Sequence, residues 1–317
     1  MLDKPPPLHE ARFRLLGGLP KPDFLVIGAA KAGTTSLSSY LSHHQSVEPV
    51  TFKEPNFFTW QLMARERYQG LFVNKRRRPG QARIAGDYST SYLLHPLAPR
   101  RIAERLPDIK CIMLLRNPTD RAYSHYIMQQ RQGVETEAGF AEIVEREILE
   151  STALLAAHRR GFFDTQVNSG SHRQDEEGRP LAVRLHDHAG TSYLLDSEER
   201  LFQYYVTSYV LRSIYADQVE RWMTFFPPEQ LLTIEAERFF SQRYDVLDEI
   251  TDFLEIPRRD RDGQSLDYSL GGGASNSVEE AGAYTPLSAE VRSHLDAFFH
   301  PHNQRLAKLC GKEFSWT

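Results

Sequence analysis

Phe24-Leu25-Val26-Ile27-Gly28-Ala29-Ala30-Lys31-Ala32-Gly33-Thr34-Thr35-Ser36 decides the fold. Four apolar residues in a row, two of them β-branched, suit a strand buried on both faces, as in a parallel sheet. The run stops at Gly28. Leu37, Tyr40 and Leu41 then recur at helical spacing, so the unit is strand, loop, helix. The loop's glycines let backbone N–H groups approach an anion, and the helix that follows adds its N-terminus. Lys31 adds a full positive charge. A glycine-rich turn alone fits an ordinary strand–helix connection equally well. The lysine and the paired threonines shift the reading to an anion cradle formed by Lys31, Ala32, Gly33, Thr34, Thr35 and Ser36.

Two further apolar runs extend the pattern. Cys111-Ile112-Met113-Leu114-Leu115 follows a helical segment with Ile102 and Leu106, and it stops at Arg116-Asn117-Pro118. Asn and Pro suit a helix start, and Ala122, Tyr123, Tyr126 and Ile127 continue at helical period. Leu231-Leu232-Thr233-Ile234 follows a segment with Leu211, Tyr215, Val219, Trp222 and Phe226 on one helical face. Further helices fit Val246–Leu254 and Ser288–Phe299. Strands alternating with helices predict an α/β fold, a parallel β-sheet with helices on both faces. Residues 1–22 read as an irregular lead-in and 23–317 as one domain. Residues 150–207 interrupt the rhythm, with a long polar loop over Asn168–Pro180, and Gly271–Asn276 reads as a second loop. The runs Lys75–Arg78 and Arg258–Arg259 read as solvated surface.

The kind of anion follows from where the charges sit. In nucleoside triphosphatases the lysine follows the last glycine, and a strand end commonly carries an Asp that helps hold magnesium. Here Lys31 lies between the glycines, Thr34 takes the usual lysine position, and the second strand ends in Arg116. A cation there repels a metal and attracts an anion. The pocket reads as a nucleotide site working without a metal.

With these motifs in hand, most of the chain resembles the sulfotransferases that use 3′-phosphoadenosine-5′-phosphosulfate (PAPS). Gly28–Ser36 is similar to their 5′-phosphosulfate loop. Leu114–Tyr126 resembles their 3′-phosphate motif, which implies that Arg116 and Ser124 bind the 3′-phosphate. Ser124 lies eight residues after Arg116, about two helical turns into the next helix, where its hydroxyl could share an oxygen with the guanidinium. Lys53-Glu54-Pro55-Asn56-Phe57-Phe58 resembles the segment that carries the catalytic glutamate in heparan-sulfate glucosaminyl sulfotransferases and their bacterial relatives. The tail from Phe298 to Trp316 resembles the same branch. Gly86-Asp87-Tyr88-Ser89-Thr90-Ser91-Tyr92 resembles an acceptor-side segment, G-E-x-[TS]-P-x-Y. Tyr88 stands where heparan 3-O-sulfotransferases have a lysine.

The resemblance implies Lys31 and Glu54 as catalytic residues, with Lys31 neutralising the leaving phosphate and Glu54 taking the acceptor's proton. It implies Lys53, Asp87, Tyr88 and Ser89 as acceptor-side residues. The donor would be PAPS, the product 3′,5′-adenosine bisphosphate, and the acceptor a small molecule or glycan. His125 is an alternative base, though a helix histidine beside a site is more often structural. Cys111 reads as a buried thiol.

The chain has 317 residues, 40% hydrophobic and 25% charged, enough for a full core without disulfides. Its net charge of −4 argues against bulk nucleic-acid binding, while allowing a local basic pocket. Two cysteines exclude a disulfide scaffold, and no Cys/His cluster has zinc-site spacing. No apolar run approaches the roughly 20 residues that span a bilayer. The expectation is a soluble, cytoplasmic enzyme without membrane insertion; its oligomeric state is not readable. A P-loop kinase or a non-catalytic nucleotide-binding protein are the competing readings.

Overall fold

A computed structural model describes residues 20–59, 63–72, 83–134, 139–159, 183–186, 192–195, 208–258 and 286–317. In chain order the elements begin with β1 (Phe24–Gly28), α1 (Thr34–His43), α2 (Arg65–Gly70), β2 (Gly86–Tyr88) and α3 (Ala98–Arg105). Next come β3 (Lys110–Leu115), α4 (Pro118–Arg131), α5 (Phe140–Arg159), β4 (Val183–His186) and β5 (Ser192–Leu195). A 3₁₀ turn (Leu211–Ser213), α6 (Tyr215–Met223), β6 (Leu231–Glu235), α7 (Ala236–Ser241), α8 (Arg243–Phe253) and α9 (Ala289–Cys310) complete the order.

The main sheet is parallel, with strand order β2-β1-β3-β6. β1 is buried along its whole length because it pairs on both edges, Phe24 facing Gly86 on one side and Lys110 on the other. Removing each such Leu, Val, Ile or Phe from water stabilises by about 1.5–3 kcal/mol. That is why unbroken apolar runs form the central strands. β4 and β5 make a separate antiparallel pair. The predicted α/β architecture and the three apolar strands are as expected.

Several elements differ from expectation. The predicted single helix over Leu211–Phe226 is split: Leu211–Ser213 is a 3₁₀ turn, and α6 begins only at Tyr215. All five predicted face residues are nevertheless buried. α9 passes Phe299 and Pro301 to reach Cys310. The cost of the missing proline N–H is offset by burial of Asn303, Leu306 and Ala307 beyond it. The interruption predicted at 150–207 includes the end of α5 and the β4–β5 pair. The loops over 168–180 and 271–276 and the basic run 75–78 lie outside the described residues. Arg258 is exposed and bonds Asp252 from its Nε at 2.6 Å, as a surface cation should. Among the described residues, no helix is long and apolar enough to cross a membrane.

Candidate active site

The C-terminal ends of β1 and β3 lie side by side, and the loops leaving them make the site. Ala29 N–H donates to Leu114 O at 2.6 Å, which locks the first loop against the second strand. Gly28 has no room for a side chain: a Cβ there would lie 2.7 Å from Cβ of Leu93. Gly33, at φ +93°, occupies the left-handed region that favours glycine, and a Cβ would meet the Phe240 ring at 2.7 Å. Lys31 is also left-handed, at φ 71°. The loop thereby delivers the chain to α1 with Thr34 buried, Thr35 exposed, and Ser36 and Lys31 half-buried.

The second loop starts at Arg116, whose Nη1 donates to Lys31 O at 3.3 Å. Tyr215 from α6 donates its hydroxyl to Arg116 O at 3.0 Å. Asn117 caps α4, its side chain accepting from Asp120 N–H at 3.2 Å, and Pro118 takes the first turn, where a missing N–H costs nothing. Ser124 is half-buried on the same helix. The structure thus joins the two predicted anion loops directly, through the Arg116–Lys31 bond.

Charge in this corner is strongly one-sided. Burial lowers the Lys31 pKa below the ordinary lysine range, and the neighbouring cations Arg116, Arg121, Arg131 and Lys53 lower it further. Arg121 is fully buried on α4. Its Nε donates to Ser213 Oγ and its Nη2 to Tyr209 O, both at 2.6 Å, while burial pushes its pKa down to about 10. So many cations held together favour an anionic ligand. A donor set of ammonium, guanidinium, hydroxyl and helix N-terminus fits the phosphates and sulfate of PAPS.

Lys53 and Glu54 arrive on a loop between α1 and α2. The Lys53 ammonium donates to Thr35 Oγ1, tying this loop to the anion cradle. Glu54 precedes a proline, a position biased toward extended backbone, yet its φ is 57°, and Asn56 follows at φ 51°. Such backbone holds only where its surroundings over-determine it. Here the segment after β2 does so: Glu54 N–H donates to Tyr88 O at 3.1 Å, and Asn56 N–H to Ser89 Oγ at 3.0 Å. Thr90 donates to the Glu54 carboxylate from N–H at 2.9 Å and from its hydroxyl at 3.0 Å. Burial raises the Glu54 pKa above the usual glutamate value; the Thr90 bonds, Lys53 and Arg212 oppose the rise.

Three of the predicted acceptor-side residues have little exposed surface. Asp87, Tyr88 and Ser89 are all buried. Successive strand residues point to opposite faces. Tyr88 turns into the core, its ring edge-on to Phe24 at 5.7 Å. Asp87 on the other side accepts from Tyr68 and Tyr92 hydroxyls at 2.8 Å and from Ser89 Oγ at 2.6 Å, and burial pushes its pKa up to about 6. Ser89 in turn accepts from Asn56 N–H, so Asp87 and Ser89 brace the loop that carries Glu54. His125 is buried too, edge-on to Tyr209 at 5.0 Å. Cys111 is a buried thiol as expected, its pKa pushed up by burial.

Sequence reasoning missed Arg212. Burial pushes its pKa down to about 9, Arg121 pushes the same way, and Glu54 acts to raise it. It belongs to the Ser208–Ser213 turn, whose start is fixed by the buried Glu147 of α5. That carboxylate accepts from Ser208 Oγ at 2.8 Å, Tyr209 N–H at 3.0 Å and Val210 N–H at 2.6 Å. A lone Arg within an apolar helical pattern reads as solvated, so only its electrostatic coupling to Glu54, distant in sequence, identifies it.

The comparisons with known proteins agree with this geometry. The chain is 24% identical over 332 residues to the membrane-associated sulfotransferase kil1 of Dictyostelium discoideum, covering 93% of this chain and 66% of that protein. It is 27% identical over 313 residues to the human bifunctional heparan sulfate N-deacetylase/N-sulfotransferase 3, covering 92% of this chain but only 30% of that protein. The chain therefore spans about a third of the length of the bifunctional relative it matches. Among solved structures, a sulfotransferase from Alicyclobacillus acidocaldarius superposes with a TM-score of 0.64 at 25% identity, covering 93% of this chain and 98% of that one. The family model described as a sulfotransferase domain matches residues 21–268, and with its two anion loops on adjacent strands the chain belongs to the sulfotransferase family.

Proposed function

We propose that this sulfotransferase takes its sulfuryl group from PAPS and transfers it, without a metal, to a hydroxyl of a carbohydrate, lipid or secondary-metabolite acceptor. The observation that carries the reading is the Lys53–Thr35 bond: it ties the loop bearing Glu54 to the cradle bearing Lys31. That bond supports reading the half-buried Glu54 carboxylate and the cations around Lys31 as parts of one site. PAPS would supply there the sulfuryl group and a phosphate leaving group. Lys31 and the Thr34–Ser36 end of α1 hold the 5′ side, and Arg116 with Ser124 holds the 3′-phosphate. Glu54 accepts the proton of the attacking hydroxyl, and its burial raises its basicity for that task. Lys31 neutralises charge at the leaving oxygen, the work a metal does in phosphoryl transfer. The names of the heparan sulfate relatives favour a carbohydrate among the acceptor classes.

The test needs no acceptor. Adenosine 3′,5′-bisphosphate, with chelator present, should raise the thermal stability of the protein. At 100 times its dissociation constant a native-state ligand adds about 2.7 kcal/mol. Differential scanning fluorimetry and calorimetry read this directly. A shift with Mg-ATP and none with the bisphosphate would replace this reading with a kinase. Incubation with sulfur-35 PAPS and a panel of glycan, lipid and phenolic hydroxyls then identifies the acceptor.

A further inference from the structure

The Glu54 carboxylate is gripped at both oxygens by a single residue. Thr90 N–H donates to Oε2 at 2.9 Å, and the Thr90 hydroxyl donates to Oε1 at 3.0 Å. A carboxylate has about four lone-pair sites, so these two bonds leave one open on each oxygen. They also fix the plane of the group. Thr90 is itself held by its chain neighbours. Ser89 bonds Asp87 and accepts from Asn56 N–H, while Ser91 donates to Asn56 Oδ1. The clamp and the carboxylate it grips are thus cross-braced at two residues, Glu54 and Asn56. In the family pattern that Gly86–Tyr92 resembles, this position is proline, which has neither an N–H nor a hydroxyl to donate.

We propose that Thr90 is a positioning residue for the reaction: its paired donors orient the Glu54 carboxylate and direct the acceptor's proton to the remaining lone pairs. The proposal rests on the reading of Glu54 as the base. Both bonds favour the charged form of the carboxylate, because a protonated oxygen gives up acceptor capacity. The other ionisable groups coupled to Glu54 are Lys53 on its own loop, Arg212 on the 3₁₀ turn and Asp87 on β2. Lys53 and Arg212 also favour the charged form, and Asp87 opposes it. Thr90 acts on the same balance through direct contact.

Thr90→Val removes the hydroxyl donor at nearly constant shape and keeps the N–H; Thr90→Ser keeps both donors. The Glu54 carboxyl can be followed by carbon-13 NMR in labelled protein, its resonance identified by its loss in Glu54→Gln. The valine variant should titrate about one pH unit higher than wild type, with the serine variant within a few tenths of wild type. Affinity for adenosine 3′,5′-bisphosphate should be unchanged in both. Release of inorganic sulfate from PAPS, with water as the acceptor, should show the acid limb of its pH–rate profile moving by the same unit. Thr90→Ala serves if the valine variant fails to fold. An unmoved NMR midpoint would overturn the clamp itself. A moved midpoint with an unmoved acid limb would overturn the base reading, and the positioning role with it.

Discussion

Lys31→Ala should lower turnover by about 10²–10³-fold, the loss typical when one donor to a developing oxyanion is removed. Lys31 sits in a corner already crowded with cations; burial lowers its pKa and those cations lower it further. That crowding is unfavourable until an anion arrives, and most unfavourable charge is relieved when negative charge grows on the leaving oxygen. The substitution leaves the cradle's backbone nearly intact, since alanine meets the same steric limits as lysine at φ 71°. Arg116→Ala should behave differently. A 3′-phosphate keeps its charge throughout transfer, so its partner contributes to binding and not to the barrier. Loss of one charged hydrogen bond, about 1.5–3 kcal/mol, weakens adenosine bisphosphate binding by about 10–100-fold. Calorimetry for affinity and single-turnover kinetics for the chemical step separate the two. If Arg116→Ala binds the bisphosphate as wild type does, the 3′-phosphate lies elsewhere.

The parts of this molecule that could be read from sequence are those dictated by local chemistry. β1, β3 and β6 are short unbroken apolar runs because they are buried in a parallel sheet, and the pattern records the burial directly. Lys31 and Arg116 stand at strand ends, where a charge after an apolar run is conspicuous. β2 was not legible. Gly86-Asp87-Tyr88 is three residues long and contains a carboxylate. Its burial depends on Tyr68, which comes from α2, well outside any local window. The same distance hides Arg212, which is coupled electrostatically to Glu54, and Thr90, which bonds the Glu54 carboxylate across 36 positions of sequence. Tyr88 shows that a local motif does not reveal burial. A resemblance assigns a position to the acceptor side, but the alternation of side chains along β2 turns this ring into the core against Phe24.

Glu54→Gln should leave adenosine bisphosphate affinity near wild type while transfer falls by about 10²-fold or more. The variant is a clean test because of how Thr90 grips the side chain. The amide oxygen can take the place of Oε2 and accept from Thr90 N–H. The amide nitrogen can take the place of Oε1, with the Thr90 hydroxyl rotated to accept from it. The loop therefore keeps its two bonds and its left-handed backbone, and only the basicity is lost. Lys53 and Arg212, which help hold the carboxylate ionised, lose a charged partner, yet both stay within the cationic corner that a bisphosphate neutralises. The competing base is His125. Its ring is buried edge-on to Tyr209, with almost no surface open to an acceptor. His125→Ala should therefore cost stability through lost packing and change kcat/KM little in the protein that still folds. Measured side by side on one acceptor, full transfer in Glu54→Gln together with loss in His125→Ala would move proton abstraction to α4 and leave Glu54 as a bracing carboxylate only.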